Sequence, residues 1–151
     1  MQEDATQEEY GEDMVTLLQL AWGEGFMIPG GAHYIRTTIA GHDLSGKRVL
    51  DIGSGLGGPG IVLARDYGAD VTGIDIEPGL VKHARRLVER QNLSDRLRIE
   101  LVEPGPFPFP DESFDVLYSG GAITQIEDKR GLFRECFRAL RPGGCCWYMA
   151  G

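Results

Sequence analysis

Four glycines, and an aspartate that follows them, carry the strongest chemical signal in this chain. In "VLDIGSGLGG", Gly53, Gly55, Gly57 and Gly58 stand between a short apolar run and a helical stretch. Small residues at such a junction let the backbone approach a ligand and turn its amides toward it. Gly53, Gly55 and Gly58 satisfy the dinucleotide spacing G-x-G-x-x-G, and the loop also reads as G-x-G-x-G, so by itself it is equally a tight turn with no ligand. Asp75 follows Gly53 by 22 residues and closes the next apolar run. A carboxylate there can accept two hydrogen bonds from the ribose hydroxyls of a nucleoside. Alone, Asp75 reads as a solvated strand end or a helix cap; with the loop, the pair points to a nucleoside ligand. Asp51, just before the glycines, would repel a pyrophosphate and suits a cofactor with a positively charged amino-acid end. That favours S-adenosylmethionine over a nicotinamide dinucleotide.

These residues need elements to hold them. From Lys47 onward, short apolar runs alternate with helical stretches: a buried strand at Val49 and Leu50 leading into Asp51, then the glycine loop, then a helix with Ile61, Leu63 and Ala64 that tolerates Pro59 in its first turn. Val71 to Asp75 is a second strand, and Pro78 starts a helix whose Val81, Ala84, Leu87 and Val88 share a face until Asn92 stops it. Leu97 to Val102 reads as a third strand, "EPGPFPFPDES" as a loop, and Phe114 to Tyr118 as a fourth strand. The last helix places Leu132, Phe133, Cys136, Phe137 and Leu140 on one face, and Pro142, Gly143 and Gly144 turn the chain into a fifth strand, Cys145 to Met149. Upstream, Met14, Leu17, Leu18 and Ala21 predict a short amphipathic helix, and a second is expected around Tyr34 to Ile39. Alternation at this spacing implies right-handed crossovers and an α/β, doubly wound, mostly parallel Rossmann-like sheet, with ligands beyond the carboxyl ends of the strands. Residues 1–46 read as an N-terminal helical lid and 47–151 as the core, one compact domain in all.

Composition narrows the partners. The chain has 151 residues, 42% hydrophobic and 25% charged, with no apolar run near the roughly 20 residues that span a bilayer. A net charge of −8 argues against nucleic acid, whose binding needs clustered Lys and Arg. Seven acids and no Lys or Arg precede residue 36, so the acidity is an N-terminal property. The start lacks a basic region and an apolar core, and Cys136, Cys145 and Cys146 form neither a disulfide framework nor a zinc set, so the expected compartment is the cytoplasm, with no metal. His33, His42 and His83 have no partner at ligand spacing and read as surface residues; Cys145 and Cys146 read as small core residues.

"VLDIGSGLGG", "GIDIEP", "PFPDESFDVLYS" and "LFRECFRALRPGG", in that order, resemble a class I S-adenosylmethionine-dependent methyltransferase across roughly Val49 to Met149. "EEYGEDMVTLLQLAWGEGFMIPGG" is similar to the lid of the phosphoethanolamine N-methyltransferases and their small-molecule relatives. The resemblance implies S-adenosyl-L-methionine as cofactor and a small-molecule acceptor. It puts Asp51 and Gly53 at the methionine part, with Ser54 and Gly55 beside them, Asp75 at the ribose and Ile76 against the adenine. Glu103, followed by Pro104, stands where the family often has an Asp that accepts from the adenine amino group, Ser119 joins the cofactor set, and Phe26, Met27 and Ile28 close over it.

The same resemblance implies an acceptor-side pair of a lid tyrosine, here Tyr10, and a histidine, whose position is Gln125. Glutamine cannot take a proton at neutral pH. Gly120 and Gly121 also stand where those relatives carry an Arg and an Asp, which implies a different acceptor, or none. Three readings therefore stand: a methyltransferase acting on a small molecule such as an amine, a cofactor-binding domain or methyltransferase fragment without catalysis, and an NAD(P)-dependent oxidoreductase. The relatives' fold has two further strands, so the fifth strand is expected either to be covered in a homodimer or to belong to a longer enzyme.

Overall fold

A computed structural model describes residues 10–149; the acidic residues before Tyr10 lie outside it. Five strands form one parallel sheet in the order β3-β2-β1-β4-β5, namely β1 (Arg48–Ile52), β2 (Asp70–Asp75), β3 (Leu97–Leu101), β4 (Phe114–Ser119) and β5 (Leu140–Tyr148). The helices are α1 (Glu12–Trp22), α2 (Gly31–Thr38), α3 (Gly58–Tyr67), α4 (Pro78–Arg90), α5 (Ala122–Gln125) and α6 (Lys129–Ala139).

Two buried clusters show the double winding. On one face Val49, Val71, Leu97 and Val116 pack with Ile35 of α2 and Ile39 just after it, Ile61 to Ala64 of α3, and Val81, Ala84, Leu87 and Val88 of α4. On the other, Leu50, Ile74, Phe114 and Leu117 pack with Leu132, Cys136 and Ala139 of α6. The order runs outward from β1 to β3 in one direction and from β4 to β5 in the other, so right-handed crossovers place α3 and α4 on one face and α6 on the opposite one. The direction reverses between β1 and β4, and the crevice at their carboxyl ends is the place where such sheets bind ligands.

Residues ahead of β1 join the same core. Phe26, Ile35, Ile39 and Leu44 are buried with α3 and the sheet, and Arg36 of α2 holds Asp66 of α3 at 3.0 and 2.7 Å.

Several expectations need correction. α1 forms, yet it contains no buried residue: Met14, Leu17 and Leu20 are exposed, because the helix rests beside the molecule without entering its core. On α6, Phe133 and Phe137 were expected in the buried face but are 45% and 87% exposed. Among the described residues β5 is the outer strand on this side, and the Leu132, Cys136 and Ala139 stripe of α6 is the part buried against the sheet. Cys145 and Cys146 are exposed as well, since an edge strand has covered neighbours on one side only. β5 starts directly after α6 and runs through Pro142 to Gly144, the register with β4 shifting between Phe114 and Val116. β3 stops at Leu101, one residue short of Val102, and His83 is half-buried. The single-turn α5 had no periodic signal in the sequence, being one turn long.

Candidate functional site

β1 delivers the glycine loop to the crevice, and the end of β2 holds it there. The Gly53 and Ser54 amides both donate to the Ile74 carbonyl, at 2.9 and 3.0 Å. Gly55 then donates to Asp75 Oδ2 at 2.9 Å, while Asp75 Oδ1 accepts from the Glu77 amide at 3.0 Å at the start of α4. One half-buried carboxylate thus ties the loop after β1 to the helix after β2. Gly53 (φ 71°) and Gly55 (φ 52°) sit in the left-handed region, and a Cβ on Gly53 would collide with that of Ala122.

The third motif glycine has a different task. Gly58 donates to the Gly25 carbonyl at 2.8 Å, and a Cβ at Gly58 would overlap that same carbonyl. Gly58 therefore lets the lid seat a carbonyl on the amino end of α3, where a pyrophosphate would otherwise find free amides. The expectation that the loop's amides turn toward the ligand is overturned for Gly53, Ser54, Gly55 and Gly58, all of which bond within the protein. The glycine surface and the Asp75 carboxylate both border a hollow.

A hollow of about 970 Å³ opens above this loop. Its wall brings together Gly53, Ser54, Gly55, Asp75, Ile76, Glu103 and Pro104, the lid residues Met27 and Ile28, and Tyr10 and Gln125 from opposite ends of the chain. Met27 lies over the loop, its sulfur 3.3 Å from where a Gly55 Cβ would stand, and Ile28 reaches Gly120 after β4. Three candidates lie behind the wall. Phe26 is buried against Gly58, in the core shared by lid and α3. Ser119 is buried, and its hydroxyl donates to the Ile52 carbonyl at 2.9 Å. Asp51 sits in register between Gly73 of β2 and Tyr118 of β4, 1% exposed, with no hydrogen-bond partner for either oxygen among the described residues.

Burial, with the nearby charge of Asp75 adding to it, pushes the Asp51 carboxyl up to about 7. The Tyr118 hydroxyl beside it is held above its ordinary range by burial and by Asp51. A buried carboxylate without a donor is costly, so Asp51 is the atom set in this molecule most in need of a positive partner. The Ser54 hydroxyl is buried too and has no partner among the described residues. Residues that sequence reasoning missed form the wall across from Asp75: Phe107 in the proline-rich loop, Thr124, Ile126 and Glu127 around α5, and Arg134 of α6. They come from loops and a one-turn helix, where periodicity is silent. Among the described residues no cluster of His, Cys, Asp and Glu could hold a metal, and no helix is long and apolar enough to cross a membrane.

A family model described as "Methyltransferase domain" matches residues 50–148. Phosphoethanolamine N-methyltransferase 3 of Arabidopsis thaliana is 33% identical over 90% of this chain, which spans 28% of that relative; a Plasmodium falciparum phosphoethanolamine N-methyltransferase is 32% identical over 90%, spanning 51%. A sterol 24-C-methyltransferase of Gibberella zeae is 36% identical over 83% of the chain and 33% of its own length. Among solved structures, Haemonchus contortus phosphoethanolamine N-methyltransferase 2 in complex with S-adenosyl-L-methionine superposes with a TM-score of 0.88 at 28% identity, covering 94% of this chain and 33% of that one. The chain thus spans between about a quarter and a half of the length of these curated relatives.

Proposed function

The chain belongs to the class I S-adenosylmethionine-dependent methyltransferases, and on that footing we propose that it binds S-adenosyl-L-methionine in the hollow above Gly53 and Gly55 and methylates a small-molecule amine. The observation that carries this reading is the Asp75 carboxylate, fixed by the Gly55 and Glu77 amides at the lip of the hollow, with the unpartnered Asp51 one strand away. Asp75 keeps lone pairs for the ribose hydroxyls, Ile76 and Glu103 border the adenine, and Asp51 and Ser54 answer the charged amino-acid end. When bound, the cofactor supplies an electrophilic methyl group on a positively charged sulfur. The protein aligns the acceptor and keeps water away: Met27 and Ile28 cover the loop, and Tyr10 and Gln125 border the acceptor's end of the hollow. A nicotinamide dinucleotide is opposed by the Gly25 carbonyl seated on α3 and by the acidic Asp51 below the loop.

Gln125 in the wall, a side chain that cannot take a proton at neutral pH, favours a second reading, cofactor binding without turnover. Calorimetry with S-adenosylmethionine tests the core of both: wild type binds and Asp75→Ala binds more weakly, and absence of heat with the wild type sinks them together. Turnover with amine acceptors then separates them. The cytoplasm as compartment rests on three free cysteines. A homodimer covering β5, beside which Phe133, Phe137 and Tyr148 are exposed, belongs to the same proposal; light scattering that returns a stable monomer refutes it.

A further inference from the structure

We infer that the acceptor this hollow takes is a compact apolar molecule whose reacting nitrogen is uncharged and which carries no phosphate or carboxylate. The inference rests on the methyltransferase reading. Across from Asp75, the wall is made by the proline-rich loop, α5 and the first turns of α6. Phe107, Ile126 and Leu132 give it an apolar floor, and Gly120 and Gly121 add no side chain to it.

Its charges are already arranged. Glu135 is held by Arg138 at 3.1 and 2.8 Å and accepts from the Phe107 amide at 2.8 Å, and Asp128 caps α6 by accepting from Gly131 at 2.8 Å. The Lys129 ammonium is turned to the Thr124 and Ile126 carbonyls. Glu127 is exposed and lines the wall. With Glu135 neutralised by Arg138, the acidic residues Asp75, Glu103, Glu127 and Asp128 still line the hollow against one arginine, Arg134. A phosphate dianion meets net repulsion in such a space, whereas a cation is welcomed.

Protons point the same way. Among the described residues no histidine or lysine lines the hollow, so an ammonium acceptor would find no neutral-pH base to take its proton. An uncharged tertiary nitrogen needs none: its lone pair forms the new N–C bond, the S–C electrons remain on sulfur, and the positive charge passes to nitrogen. The carboxylate-rich wall favours the cation that results.

Three phenyl compounds of nearly equal size test this on the chain saturated with S-adenosylhomocysteine, by calorimetry at low salt: N,N-dimethylaniline, trimethylphenylammonium and phenyl phosphate. The first two are expected to bind, phenyl phosphate at least about ten-fold more weakly, and Glu127→Lys to narrow the gap. Phenyl phosphate binding as tightly as the others, or none of the three binding, overturns the inference. S-adenosylhomocysteine is titrated first: if it fails to bind, the methyltransferase reading falls and takes the inference with it, whereas its binding with the wrong order of probes removes the inference alone.

Discussion

At the foot of β4, Asp115 accepts from the Arg48 amide at 2.8 Å and lies against the Arg48 and Arg141 guanidinium groups. Near the head of the adjacent β1, Asp51 is more deeply buried and meets no donor among the described residues. Burial acts against ionisation of Asp115 too, but the Arg48 and Arg141 bonds outweigh it and hold the carboxyl down to about 2; at Asp51 nothing opposes burial, and Asp75 adds to it. The two ends of the sheet also differ in space: a recess of about 130 Å³ at the foot, a hollow of about 970 Å³ at the head. The foot settles its charges within the chain. The head leaves its own unsettled, and an unsettled buried charge next to a large hollow is what a ligand can complete.

Substitutions that strike the head are expected to change binding. Gly53→Val strains a left-handed backbone and drives a side chain into Ala122; a cost of about 2–3 kcal/mol corresponds to a loss of roughly 30- to 150-fold in cofactor affinity by calorimetry. Asp75→Ala strips the Gly55 and Glu77 amides of their acceptor along with the ribose contact, for a loss of about 10- to 100-fold. Either variant binding like wild type would show that the head is an ordinary turn.

Asp51 sharpens the comparison through pH. Its folded pKa lies above the unfolded one, so between about pH 4 and 7 the native chain holds a proton that the unfolded chain has released, and stability declines across that window. Asp51→Asn is expected to flatten the decline and to raise stability at pH 8 by about 2–4 kcal/mol in urea titrations. Cofactor added to the wild type recovers part of that stability by binding the folded state. A wild-type profile without slope from pH 4 to 7 would break the contrast with Asp115. The smallest effect belongs to the foot. Arg48→Ala is expected to cost about 0.5–1 kcal/mol at pH 7, its half-exposed side chain being screened, and to leave cofactor affinity unchanged. For Asp115 the sign is opposite: its contribution is present above about pH 4 and fades as pH falls toward 2.

Much of the fold could be read from the chain. β1, β2 and β4 are buried along most of their length because both faces of a central parallel strand are covered, and α4 has a clean apolar stripe ended by Asn92, which adopts a left-handed φ of 55°. The reading failed where burial depends on what lies next to an element. Phe133, Phe137, Cys145 and Cys146 look like core residues in sequence, and only their place at the outer edge of the sheet leaves them exposed.

The candidate site divides in the same way. The glycine spacing and the acid after β2 are local patterns, since a strand, a tight turn and a strand end each impose their residue types over a few positions. That Gly58 receives a lid carbonyl, that Asp75 grips the Gly55 amide, and that Tyr10 and Gln125 line one hollow are facts of the folded chain. They join residues tens of positions apart, and no spacing rule carries information over that distance; the crossovers and the core packing do.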